Sequence, residues 1–293
     1  TKKELLENFD SFKNKDSIND LSYVKTNGSL GPSLFYCYDK RGVDISSAIT
    51  HACQEIVFGK KVYFHEYISG EGNPTFRENI REICKRWILK KTIQVLPIAS
   101  NYEFDNQLLP KDNLKRYVFQ GHASTFKLLA KYLSNQEKKS LINCLAIETT
   151  GELLTKFDRN FIESVLGVSI VDRYGLAEAG VVAYQLNKNT NFLKIIDTLF
   201  YVEVDKNNSI IITSLTNYGM PLIRYDTGDK GEIIISADGS RYLNISGGRK
   251  HDFITFDGLR ISTSSIQDEL SRVSDVYEFQ IIINKRKDLL EIN

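Results

Sequence analysis

Apolar residues recur along this chain at two spacings, and the alternation between them predicts its architecture. Ile45, Ala48, Ile49, Ala52, Cys53, Ile56 and Val57 follow the i, i+3, i+4, i+7 rhythm of a helix with one face on a core, and Gly59 ends the run. Residues 61–68 switch to the period-two alternation of a strand, which residues 69–74 break with two glycines and a proline. A second helical face follows at Phe76, Ile80, Ile83, Cys84, Trp87 and Ile88, then a strand at 92–98. The order repeats. A strand at 114–119 turns at Gly121 into a helix with Ser124 as a plausible N-cap. An apolar strand at 141–148 leads to a helix carrying Leu153, Leu154, Phe157, Phe161, Ile162, Val165 and Leu166, which Gly167 stops before a short strand at 168–171. Strand and helix in alternation predict βαβ units and a largely parallel sheet, an α/β fold. Residues 3–12 read as a short amphipathic helix at the start.

The character changes past residue 181. Strands at 199–204, 209–215 and 231–235 dominate and predict a smaller β-rich unit. A glycine-rich charged segment at 247–252 reads as a linker or hinge. Beyond it come strands at 253–256 and 279–283, with a capped helix between them starting at Ser264. Residues 221–232 read as strand, polar turn, strand, with Gly228 bending the backbone beside Asp229. A carboxylate held on a rigid turn can accept two hydrogen bonds from vicinal hydroxyls such as those of a ribose. An ordinary β-turn accounts for the same residues.

Three further loops combine polar and glycine residues at strand ends. In the first, Thr26, Gly28, Ser29 and Gly31 make a flexible segment whose backbone N–H groups can close on an anion, with two hydroxyls added. No Gly-Lys-Ser/Thr follows, which excludes a GxxxxGK[ST] P-loop. The second runs from Thr149 to Glu152. In the third, residues 172–180, Tyr174 can lie flat against a base, Gly175 permits close approach, and Glu178 offers oxygen to a hard cation such as Mg²⁺. His122 sits at a strand-to-helix corner, where open α/β sheets place ligand contacts, although a structural histidine is the more ordinary reading. Each loop also has a plain turn reading.

Composition narrows the classes. At 293 residues the chain has room for one large domain or two ordinary ones. A formal net charge of +1 gives no bulk electrostatic case for nucleic acid or an acidic membrane, and no apolar run approaches a membrane span. The four cysteines, Cys37, Cys53, Cys84 and Cys144, have neither zinc-ligand spacing nor the look of a disulfide framework, so reduced cytoplasm is the expected location. The chain starts at Thr1, without a start methionine or a signal core, and the natural protein is expected to begin earlier. Nothing in the pattern speaks to oligomeric state.

Taken in order, the loops resemble those of the AMP-forming adenylating enzymes, in the phenylacetate–CoA ligase and CapK-type branch linked to capsular polysaccharide loci. Residues 26–33 resemble that family's phosphate loop T-S-G-[ST]-[ST]-G-x-P, and Gly151-Glu152 resembles its adenine-side turn. Residues 174–178 resemble Y-G-x-[ST]-E, residues 225–229 Y-R-T-G-D, and residues 248–261 the hinge motif. The resemblance implies an α/β large adenylating domain over residues 1–250, with mixed, largely parallel sheets flanked by helices and a β-rich subdomain at about 181–250. It implies that 251–293 begins a small C-terminal α+β domain. Both domains are expected to be incomplete, with the family's C-terminal catalytic lysine lying past residue 293. By the same resemblance, Thr26, Gly28, Ser29 and Gly31 cradle ATP phosphates, and Gly151, Glu152, Tyr174, Gly175 and Leu176 line the adenine pocket. Glu178 holds Mg²⁺, Asp229 binds the ribose, and Arg249 sits near the nucleotide. The implied reaction joins a small carboxylic acid to AMP with release of pyrophosphate. The acyl group then passes to CoA or to an amine or hydroxyl acceptor.

Four departures stand out. Asn27 replaces a serine, Leu30 replaces a hydroxyl residue, Pro32 comes one position early with Ser33 in its place, and His251 occupies a hinge position usually held by Asp or Lys. A nucleotide-binding protein with a degenerate phosphate loop and little turnover is therefore the competing expectation. Leu30→Thr restores one hydroxyl donor and should tighten ATP binding by about 1 kcal/mol, about fivefold, measured by calorimetry. Weaker binding would mean that Leu30 packs rather than faces the phosphates.

Overall fold

The computed structural model describes residues 1–14, 21–25, 35–60, 62–70, 91–97, 116–134, 143–247, 253–256, 259–262, 266, 269, 281–284 and 289–292. Helices α1 (Lys2–Glu7) and α2 (Phe9–Phe12) break at Asn8, where the sequence predicts one helix. Strands β1 (Ser22–Lys25) and β2 (Phe35–Tyr38) form an antiparallel pair with Lys25 opposite Phe35. Helix α3 (Lys40–Phe58) follows, capped by the Asp39 carboxylate on the Gly42 N–H at 2.6 Å. Then come β3 (Tyr63–Gly70), β4 (Lys91–Pro97), β5 (Tyr117–Gly121), α4 (Ala123–Ser134), β6 (Cys144–Thr149), α5 (Lys156–Leu166) and β7 (Ile170–Leu176). The rest is strand: β8 (Gly180–Tyr184), β9 (Leu193–Ile195), β10 (Phe200–Val204), β11 (Ser209–Ser214), β12 (Tyr225–Ile235) and β13 (Arg241–Gly247). Two short antiparallel pairs complete the described chain, β14 (Phe253–Phe256) with β15 (Leu259–Ser262), and β16 (Ile281–Asn284) with β17 (Leu289–Ile292).

Strands β4, β3, β5, β6 and β7 lie side by side and parallel, as the alternation with helices requires. Successive residues serve opposite faces. Tyr117, Phe119, Ile147 and Ile170 pack against Phe126 and Leu129 of α4 and Ile162 and Leu166 of α5. Their neighbours Val118, Ala146 and Val171 pack against Cys53 and Phe58 of α3. Both faces are therefore buried, and these strands read as near-continuous apolar runs. On α3 the buried line is Gly42, Cys53, Gln54 and Phe58, with Ile45, Ile49 and Val57 packed partly against the cores. Ala48, Ala52 and Ile56 face outward, against the sequence expectation, and Ile56 is 68% exposed. The predicted helix over 76–88 lies outside the described residues.

Strand β7 serves two sheets. Ile170 to Asp172 continue the parallel ladder on β6, whereas Arg173 to Leu176 pair antiparallel with β8. From there the ladder runs β8, β9, β13, β12, β11, β10, all antiparallel, over a core that includes Val182, Ile195, Val202, Ile210, Ile212 and Leu243. This half curls. Arg241 on β13 reaches the Asp197 carboxylate at 2.7 Å and the Val202 carbonyl of β10, three strands away in ladder order. A flat ladder would separate β13 and β10 by about 14 Å. Among the described residues no helix is long and apolar enough to cross a membrane.

Among the described residues one carboxylate lies wholly inside. Glu148 of β6 has no exposed surface and accepts from Gln54 at 3.0 Å, from Gln120 at 2.9 Å and from Arg173 at 3.0 Å. Three elements thereby lock onto one carboxylate. Removing one member of a buried ion pair strands the other, so Glu148→Ala should cost about 3–5 kcal/mol of stability in denaturant unfolding. A loss under about 1 kcal/mol would mean that water replaces the carboxylate around Arg173.

Candidate functional site

Among the described residues, the C-terminal ends of the parallel strands gather most of those that the sequence singles out. β5 ends at Gly121 and passes through His122 into α4; β6 ends at Thr149 and passes through Gly151 and Glu152. The Thr150 N–H donates to the Gly121 carbonyl at 3.1 Å, which holds the two exits together. Glu152 is not available as a loose ligand. One of its oxygens lies 3.2 Å from His122 Nδ1 and accepts from the Ser124 hydroxyl at 3.0 Å, and the other accepts the Ser124 N–H at 2.9 Å. Burial pushes the Glu152 carboxyl upward, but the bonds from His122 and Ser124 outweigh it and hold the group below its ordinary range. Ser124 lies inside the first turn of α4 and serves this carboxylate, not the N-cap position predicted for it. The ring of His122 lies against Gly151, where an added Cβ would sit 3.2 Å from its Cε1.

The next strand carries the Tyr-Gly-Leu-Ala-Glu run further inside the fold than expected. Tyr174, Gly175 and Leu176 belong to β7 rather than to a loop, and Glu178 sits in the tight turn to β8. Gly175 has a local reason for being glycine: a Cβ there would lie 2.7 Å from the Gly180 carbonyl of the facing strand. Leu176 packs on the antiparallel core. At the start of this run Asp172 is half-buried and accepts the Thr149 hydroxyl at 2.7 Å, and desolvation pushes its carboxyl up to about 6.

Residues 221–232 also differ from the predicted strand, turn, strand. Tyr225–Ile235 is one strand, β12, interrupted by a bulge. Ser209 pairs with Lys230 and Ile211 with Asp226, so two steps along β11 face four along β12. The extra residues contain Gly228, at φ 84° with open space around it. Asp226 occupies the second position of this motif, where the family pattern has arginine, and its carboxylate accepts the Gly228 N–H at 3.0 Å. The Thr227 hydroxyl accepts the Asp229 N–H at 3.1 Å and donates to the Ile210 carbonyl at 2.9 Å. The bulge is thus a hydrogen-bonded pedestal for Asp229.

The curl of the sheet brings the two runs face to face. Tyr174 donates its hydroxyl to Asp229 Oδ2 at 2.8 Å, and Tyr225 donates to Glu178 Oε1 at 2.7 Å. β7 and β12 are four steps apart in the ladder, about 19 Å if flat, beyond the reach of these side chains. Tyr225 and Glu178 are both buried. Burial and the neighbouring Asp229 push the Tyr174 phenol well up, so it remains a donor at neutral pH.

The phosphate-loop residues Thr26, Gly28, Ser29 and Gly31, and Arg249 with His251, lie outside the described residues. The flanks of that loop are defined. It spans from Lys25 to Phe35, the last pair of the β1–β2 ladder. The Tyr38 hydroxyl of β2 donates to the Ala177 carbonyl at 2.8 Å, beside Glu178. Asn217 binds the Tyr36 hydroxyl at 2.8 Å and the Cys37 carbonyl at 3.0 Å. These bonds fix the far end of the β1–β2 pair, where Tyr38 faces Ser22, beside the turn that carries Glu178. Sequence reasoning missed Glu148, Arg173 and Asn217. The legible signal was a charged residue closing each of two apolar strand runs.

With this geometry in view, comparison with known proteins is informative. The chain is 27% identical over 191 residues to indoleacetate–lysine synthetase of Pseudomonas savastanoi, covering 62% of this chain and 46% of that protein. It is 26% identical over 154 residues to phenylacetate-coenzyme A ligase of Escherichia coli strain K12, covering 47% and 35% respectively. The structure matches a crystal structure of 2-hydroxyisobutyryl-CoA ligase in its postadenylation state with 2-HIB-AMP, at TM-score 0.66 and 16% identity over 94% of this chain and 62% of that one. The chain shares the fold of that AMP-forming ligase, and its sequence is similar to those of phenylacetate–CoA ligases. No family model matches it. The chain spans less than half the length of the two curated relatives.

Gly228→Ala should lower stability by about 1–2 kcal/mol in thermal unfolding, the cost of a left-handed backbone for an L-residue. No atom lies within 4 Å of the new Cβ, so a larger loss would mean that the bulge itself collapses.

Proposed function

We propose that the protein activates a small carboxylic acid as an acyl-adenylate at the expense of ATP and hands the acyl group to a second substrate. The observation that carries this reading is the meeting of Tyr174, Glu178, Tyr225 and Asp229 at the ends of β7 and β12, in a chain similar to adenylating ligases. In this reading Asp229 accepts the ribose hydroxyls of ATP from its bulge. The Tyr174 ring, Gly175, Leu176 and the Gly151–Glu152 turn border the adenine, with Glu152 acting through the turn it braces. Thr26, Gly28, Ser29 and Gly31 close on the phosphates, and Arg249 sits beside the nucleotide.

Glu178 suits Mg²⁺. Its Oε1 is taken by Tyr225, while no described residue donates to Oε2, and Mg²⁺ is commonly held by one carboxylate plus water and phosphate oxygens. Bound there, the ion would neutralise charge on the phosphates. The chain's own contribution is orientation: it fixes the ribose and phosphates so that a carboxylate oxygen approaches the α-phosphorus in line with the departing pyrophosphate.

For the acceptor, the names of the relatives support both a thiol, CoA, and an amine. A hydroxyl on a sugar, in capsular polysaccharide assembly as in CapK-type proteins, is the third class, and the cytoplasm is the proposed location. Residues 1–250 would belong to the large domain, with its β-rich subdomain at about 181–250, and 251–293 to the small one. Leu30 and Asn27 favour one alternative, a nucleotide-binding protein with little turnover.

The test is pyrophosphate release from ATP and Mg²⁺ across a panel of aryl and alkyl carboxylic acids. Acid-dependent release is expected. Asp229→Ala should weaken ATP binding by about 1.5–3 kcal/mol, more than tenfold. ATP binding without release under any acid would favour the alternative, and absence of ATP binding would overturn both.

A further inference from the structure

Each of the two carboxylates is held by a tyrosine from the other run. Tyr174 and Glu178 lie at the end of β7 and in the turn after it; Tyr225 and Asp229 lie on β12. The hydrogen bonds cross, Tyr174 to Asp229 at 2.8 Å and Tyr225 to Glu178 at 2.7 Å. A lone aspartate on a bulge can swing about χ1 and χ2, and a lone glutamate about three torsions. A phenol hydroxyl fixed on a strand removes that freedom from the carboxylate it binds. The donors are themselves rigid. Tyr225 is 4% exposed in the antiparallel core, and Tyr174 packs partly against the same core.

We propose that the hydroxyls of Tyr174 and Tyr225 are positioning groups, Tyr174 aiming Asp229 at the ribose and Tyr225 aiming Glu178 at Mg²⁺. The inference rests on the adenylation reading. It assigns the tyrosines a role through their hydroxyls, distinct from any ring contact with the base. It also makes the crossing functional: whatever separates β7 from β12 disorders the ribose and metal contacts together.

The roles predict a crossed result in the full chain. Wild-type protein should bind ATP about tenfold more tightly than 2′-deoxyATP in calorimetry, the worth of one hydrogen bond to a charged group. Tyr174→Phe should shrink that preference to under about threefold while leaving the Mg²⁺ concentration for half-maximal pyrophosphate release unchanged. Tyr225→Phe should raise that Mg²⁺ concentration severalfold and leave the preference for the 2′-hydroxyl intact. Loosening of the site as a whole would move both readouts in both variants and would overturn the assignment, as would no shift in either. Should Tyr225→Phe fail to fold, the ribose arm with Tyr174→Phe decides alone. A wild-type protein that binds ATP but ignores both the 2′-hydroxyl and Mg²⁺ would remove the adenylation reading and this inference together.

Discussion

The crossed pair of tyrosine–carboxylate hydrogen bonds sets the terms for the rest of this molecule. Two phenols can reach two carboxylates across the ladder only if the antiparallel half of the sheet closes on itself. That closure depends on β7 changing partners midway, parallel to β6 up to Asp172 and antiparallel to β8 from Arg173. It depends also on the steady twist of neighbouring strands, which accumulates over the ladder until β12 stands opposite β7. The Arg241 contacts to Asp197 and Val202 brace the same curl from its far side.

The point where the strand changes partners is anchored from below. Arg173 turns its guanidinium inward to Glu148, so the residue before Tyr174 cannot slide without breaking a buried ion pair that Gln54 and Gln120 complete. Such a pair contributes little net stability, because desolvation offsets the Coulomb attraction. Its effect is on register. A one-residue slip of β7 would exchange Arg173 and Tyr174 between faces, taking the guanidinium away from Glu148 and the phenol away from Asp229.

The bulge in β12 solves a different problem. A regular strand would alternate its side chains between the core and solvent and would give Asp229 no special direction. Two extra residues, a left-handed Gly228 and the capping groups of Asp226 and Thr227 lift the carboxylate out of the pleat toward Tyr174. Asp226 is therefore an internal brace of the bulge.

The alternation of helical and strand periods was enough to assign the α/β class. Gly59 and Gly167 marked helix ends correctly, and the shift to strands past residue 181 marked the antiparallel half. These features are local: period, cap and turn chemistry act over a few residues and leave their trace in the order of the chain. The outward placement of Ile56, the use of Ser124 by Glu152, the extension of β7 through Tyr174 and the bulge within β12 were not legible. Each depends on which element packs alongside. Tyr174 and Asp229 stand 55 residues apart, and no spacing rule connects them. The residue types of the proposed site are written along the chain, but their meeting depends on the curl of the sheet, because twist summed over several strands is a property of the assembled ladder and of no single segment.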